Sequence, residues 1–195
     1  IRVLDAGGTL TSVSSNTSGK ALWGIIKPGS TYYVAGDGGT ILTSDDPLNP
    51  GKPFVLIANT GTSSNLRFID YLNGRFVASG TGGVILTSSN GASGNWVSQI
   101  TNGAGTIYSV AYGNGTYVAV GGNDARATST SPMPLSLIYT LADNQSTWIA
   151  RTAGTASTLR AVVFNGGVFT AVGYDGAIYR SPDGGNWTFV QSGAK

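Results

Sequence analysis

The chain has 195 residues, 41% of them hydrophobic and 10% aromatic, so it can bury a core, while only 10% are charged. Its formal net charge is +2, from 11 Lys and Arg against 9 acidic residues, all of them Asp, and it has neither His nor Cys. That inventory excludes ordinary zinc, haem and copper sites and every Cys- or His-based nucleophile system, so no cofactor or metal is expected.

Taken in chain order, the predicted elements repeat. A thin copy comes first, with AGGTLTS at 6–12 matching DGGTILTS at 37–44 after one deletion. Four longer copies begin at Leu22, Leu66, Ile107 and Leu159. The best preserved is the last, and it reads as four short strands. These run from Leu159 to Phe164, Val168 to Val172, Ala177 to Arg180 and Trp187 to Val190. The breaks carry NGG at 165–167, YDG at 174–176 and PDGGN at 182–186, which is tight-turn chemistry. Val, Ile, Tyr and Phe dominate between them, as strands require, and no segment has a helical period.

A four-stranded unit recurring every 40 to 50 residues or so predicts an all-β fold, a β-propeller of four-stranded antiparallel blades. About five blades are expected, four full and one partial at the N-terminus. The expected boundaries are a partial blade at 1–20 and blades at 21–65, 66–106, 107–158 and 159–195, all in one domain. The third full blade carries an insertion at 124–136, DARATSTSPMPLS, read either as a binding loop or as a surface excursion. The thin first copy leaves three arrangements open: a small ring with one thin blade, part of a larger propeller, or self-association through the incomplete blade.

The stretch Ser181-Pro182-Asp183-Gly184-Gly185-Asn186-Trp187 resembles the Asp box, or BNR repeat, of sialidase-like propellers, with one residue fewer between glycine and tryptophan. The whole unit, YxNGxFVAVGxxGxIxxSPDGxxW, is similar to repeats in sialidase-related and photosystem II assembly-factor-like propellers. The resemblance implies a structural box from Ser181, Asp183, Gly185 and Trp187. Related fragments are Ser88 and Asn90 with Trp96, and Asp143 with Trp148. Side chains such as Asp183 accept hydrogen bonds from backbone N–H groups of their own turn. The Trp is expected to pack between adjacent blades, and if it is fully buried its removal costs about 3–5 kcal/mol.

The same resemblance argues against a sialidase. Those enzymes use three arginines, a Tyr–Glu pair and an Asp acid, and this chain has no Glu. The expectation is therefore no enzyme, with glycoside hydrolysis by turn aspartates as a third choice. A recognition module for glycans or a protein surface comes first, and a structural part of a virion, appendage or cell-surface assembly second. The expected ligand-binding face carries Asp37, Thr81, Asn123, Asp124, Tyr174 and Asp175. Arg67 and Arg160, each second in an inner strand, are a candidate anion contact. No basic cluster points to nucleic acid, and no apolar run is long enough to span a membrane. Low charge with abundant Ser, Thr, Asn and Gly suggests an extracellular, cell-surface or virion-surface location.

Overall fold

Valine- and isoleucine-rich runs punctuated by Asn-Gly and Gly-Gly turns fold here as meanders, each strand pairing with its neighbour in sequence. The computed structural model describes residues 1–4, 10–12, 17, 19–101, 105–123, 136–152, 154 and 157–190. Asp124, nearly all of the 124–136 insertion and half of the thin first copy lie outside the described residues.

A two-stranded ladder comes first, β1 (Arg2–Leu4) with β2 (Leu10–Ser12). Four four-stranded antiparallel sheets follow. The first holds β3 (Leu22–Ile26), β4 (Tyr32–Gly36), β5 (Thr40–Ser44) and β6 (Val55–Leu56). The second holds β7 (Leu66–Leu72), β8 (Arg75–Gly80), β9 (Val84–Ser88) and β10 (Val97–Ile100). The third holds β11 (Thr106–Gly113), β12 (Thr116–Gly122), β13 (Ser136–Ala142) and β14 (Ile149–Arg151). The fourth holds β15 (Leu159–Asn165), β16 (Val168–Gly173), β17 (Ile178–Ser181) and β18 (Thr188–Phe189). The described residues contain no α-helix; a single 3-10 turn, Tyr174–Gly176, joins β16 to β17. Two inner hairpins turn on Asn73-Gly74 and Asn114-Gly115, all four residues at positive φ. That backbone matches the right-handed twist of the strands it joins.

The chain divides into two compact units, Ile1–Ala78 with Leu86–Ser98, and Ser79–Ile85 with Gln99–Lys195. In the first unit, β3 packs beside β7, with Gly24 close against Ile69. Tyr33 of β4 meets Phe76 of β8 at 4.5 Å between ring centroids. In the second unit, β11 packs beside β15. Buried Val118, Val120 and Ile138 face Leu159, Val162, Phe169 and Tyr179 there in one apolar cluster. The buried Ser109 ties the two strands, donating to Val162 O at 3.3 Å and accepting from Val162 N at 3.2 Å. The tip of the β8–β9 hairpin also belongs to this unit: Thr81 bridges to Thr106, and Gly83 N donates to Gly105 O at 2.8 Å.

One irregularity recurs. The pairing register slips between Leu22 and Gly24, between Ile107 and Ser109, and between Leu159 and Ala161. Each slip is a β-bulge, which leaves one residue outside the ladder and re-aims its side chain. Opposite the bulges stand Gly36, Gly121 and Gly173. A Cβ at those positions would lie 2.6, 2.0 and 2.3 Å from the carbonyl oxygens of Ala21, Thr106 and Thr158. Only glycine lets the two backbones approach so closely.

Candidate functional site

The residues released by the three bulges are Trp23, Tyr108 and Arg160, and Arg67 holds the same place in β7. Within each unit an aromatic ring from one sheet lies under a guanidinium from the next. Arg67 stacks on Trp23 with its Cζ 4.0 Å from the ring centroid. Arg160 stacks on Tyr108 at 3.8 Å and lies 5.3 Å from the ring of Tyr174. A cation over an exposed aromatic face gains about 0.5–1 kcal/mol. The larger consequence is orientation, since a stacked guanidinium holds its planar fork of N–H donors in a fixed direction.

In the first unit the stack is finished by Asp37, at the end of β4. Its Oδ1 accepts from Trp23 Nε1 at 2.8 Å and from Arg67 Nη1 at 3.3 Å. This ion pair is partly exposed, so solvent screens it. Trp23 itself is 53% exposed, an unusual position for an indole. In the second unit Tyr174 follows β16 at the place where Asp37 follows β4: Tyr174 N donates to Thr158 O at 3.0 Å, as Asp37 N does to Ala21 O at 2.9 Å. Asp175 next to it takes positive φ and accepts from Ser157 at 3.4 Å.

The structure thus brings together Asp37 and Arg67, and separately Arg160, Tyr174 and Asp175. Thr81 and Asn123 also belong to the second unit, and both stand beside the Gly105–Thr106 segment. Thr81 belongs to the Thr106 bridge. Asn123 has its Oδ1 buried with no hydrogen bond among the described residues. Trp23 and Tyr108 are absent from the sequence-derived face. The signal for them was present: both stand in the column of the repeat that holds Arg67 and Arg160.

The Asp-box turns form a second set. In the fourth sheet, Ser181 Oγ accepts from Gly184 N at 2.8 Å. Asp183 Oδ1 accepts from the backbone of Gly185 and Asn186, each at 2.8 Å, and Trp187 Nε1 donates to Gly184 O at 2.8 Å. The backbone N–H of Asn186 chiefly, with its side-chain amide and the Gly185 and Ser181 donors, holds the Asp183 carboxyl well below the usual carboxylate range. Trp187 is partly buried against the apolar cluster of the second unit. The second sheet repeats the pattern with Asn90 in place of Asp. Ser88 Oγ accepts from Gly91 N at 3.0 Å, and Trp96 Nε1 donates to Gly91 O at 3.3 Å. In both boxes the glycine presses on a neighbouring sheet, Gly91 on Tyr33 and Gly184 on Val118.

The third sheet departs from this pattern. Asp143 accepts from Tyr112 Oη at 2.6 Å, and Trp148 Nε1 donates to Gln99 Oε1 at 2.7 Å. The position of Ser181 is taken there by Leu141, which has no hydroxyl to close the turn. In the first sheet Ser44 is kept, but its hydroxyl donates to Lys52 O at 2.7 Å across the proline-rich turn. Among the described residues no group of three or more acidic or metal-ligating side chains is placed to hold a metal ion. Nor is any helix there long and apolar enough to cross a membrane.

Repeated four-stranded meanders with bulged first strands and Asp-box turns define a repeat protein of the β-propeller-like class. Among solved structures, the chain is similar to the computationally designed Ika4 protein, with a TM-score of 0.61 at 14% identity, covering 87% of this chain and 95% of that one. It is similar to the designed Ika8 protein, with a TM-score of 0.62 at 14% identity, covering 89% of this chain and 49% of the other. It also resembles YCF48, in a structure described as bound to D1 peptide, with a TM-score of 0.59 at 18% identity, covering 93% and 57% of the two chains. The chain therefore spans about half the length of the last two, and the likeness shows the fold alone. No protein-family model and no curated protein sequence matches it.

Proposed function

We propose that this chain is a non-catalytic recognition module whose sheets are propeller blades, and that it docks protein segments through the aromatic–arginine pairs at the strand bulges. One observation carries this reading: a single column of the repeat presents Trp23, Arg67, Tyr108 and Arg160, stacked in pairs at the surface of their units. Oriented guanidinium forks suit carboxylates, as Asp37 on Arg67 shows within the chain, and exposed rings suit apolar side chains, so an extended segment bearing a C-terminal or side-chain carboxylate fits the Arg160 pair and, by exchange with Asp37, the Arg67 pair. The description of YCF48 as bound to D1 peptide supports peptide recognition by a similar fold. The low charge of the chain favours an extracellular, cell-surface or virion-surface setting.

A peptide array and a glycan array, each probed with the wild-type chain and with Arg67→Ala/Arg160→Ala, test the reading. Carboxylate-bearing peptides are expected to be retained by the wild type and released by the double variant. Retention of the same peptides by the double variant, or capture of glycans alone, overturns it. A structural role in an assembly draws on a different observation, the exposed Val163 and Val172 on β15 and β16. Sedimentation as a large particle at micromolar concentration favours that role.

A further inference from the structure

We propose that the third sheet carries a pocket for a single neutral sugar ring, built where the repeat exchanges a large side chain for a small one. Tyr139 of β13 and Tyr179 of β17 hold equivalent positions. Tyr179 pairs in register with Phe189, and the two rings meet at 5.4 Å between centroids. Tyr139 pairs in register with Ala150, whose methyl leaves the corresponding space open. A cavity of about 360 Å³ results, lined among others by Gln99, Tyr139, Ser146, Thr147, Trp148 and Ala150. That volume lies near the lower end of the range for small-molecule sites, roughly 300 Å³.

The lining identifies the ligand class. None of the described side chains lining the cavity is charged, so neither an anion nor a cation finds a counter-charge among them. Trp148 and Tyr139 supply aromatic surface for the C–H groups of a sugar. Gln99 spends its carbonyl oxygen on Trp148 Nε1, and its amide N–H groups make no hydrogen bond within the described residues. The hydroxyls of Ser146 and Thr147 likewise have no partner there and line the cavity. Amide and hydroxyl donors beside an indole suit a polyol that is apolar on one side and polar on its rim. Trp148 has also left the role its counterparts keep, since Trp96 and Trp187 tie their own turns while Trp148 bonds to Gln99. This inference stands apart from the docking of protein segments proposed above, and it uses none of the bulge residues.

Saturation-transfer NMR on the full chain, with methyl β-glucoside, methyl β-galactoside and N-acetylglucosamine as probes, tests the pocket. At least one sugar is expected to give a signal and to quench Trp fluorescence. Ala150→Phe restores the ring seen at Phe189 and is expected to abolish the signal while the chain stays folded. Trp148→Ala and Gln99→Ala are each expected to weaken binding by about tenfold or more. Trp23→Ala is expected to leave it unchanged, which separates this site from the bulge surface. Absence of signal for all three sugars with a folded wild type, or undiminished binding in folded Ala150→Phe, overturns the proposal.

Discussion

The turn after β17 and the turn after β13 occupy the same place in the repeat and have diverged completely. The first is closed: a serine hydroxyl, an aspartate and an indole N–H satisfy the turn's own backbone. The second is open: its aspartate is held by Tyr112 and its indole by Gln99, residues from distant parts of the sequence. The difference traces to few positions. Leu141 replaces the serine, and Asn144 replaces a glycine that sits at φ +75° in the closed turn. A closed box is thus a cooperative set of local bonds, and losing the hydroxyl frees both the carboxylate and the indole for other partners.

Breaking the closed turn at its glycine has the largest expected effect. Gly184→Ala puts a Cβ 2.5 Å from Val118 Cγ2 at a backbone angle that L-residues avoid. It is expected to destabilise the chain by about 2–4 kcal/mol in urea unfolding. Trp187→Ala should cost about 2–3 kcal/mol, below the value for a fully buried ring because Trp187 is only partly buried. Trp148→Ala, from the open turn, should stay within about 1 kcal/mol, and equal losses for the two would erase the contrast. Ser181→Ala leaves the buried N–H of Gly184 without its acceptor, and about 1–2 kcal/mol of destabilisation is expected by the same measurement.

The smallest effect is on pH dependence. Asp183 titrates below its unfolded value of about 3.9, so the unfolded chain binds the proton first as pH falls. Its contribution is complete above the unfolded pKa and is lost as pH drops from about 4 through the lower folded value. Asp183→Asn keeps an acceptor oxygen but cannot titrate. Its stability should fall less steeply than wild type between pH 4 and pH 2 or so, and parallel acid limbs would contradict this account.

The sheets were legible in the sequence because their signals are local. Val34-Ala35-Gly36 and Ala171-Val172-Gly173, followed by tight turns and Ile41 or Ile178, announce paired strands within a dozen residues. The Ser181–Trp187 turn was legible for the same reason. The stacked pairs were only half legible. Arg67 and Arg160 share a visible column, but their partners Trp23 and Tyr108 lie one whole repeat away and meet them only when neighbouring sheets pack. The open third turn was misleading in the opposite sense: Asp143 and Trp148 keep the spacing of a box while Leu141 removes the group that closes it. The Ala150 gap depends on which residue pairs with Tyr139, a matter of register that composition does not carry.

The slipped register at the first strands has one more consequence. A side chain outside the ladder is exempt from the inward–outward alternation that governs every other strand position. Tryptophan, tyrosine and arginine have all been accepted there while the surrounding hydrogen bonds stayed the same. Selection, or an engineer, can therefore rewrite what this column displays one copy at a time, provided the glycine opposite and the aliphatic residue just before the displayed one are kept.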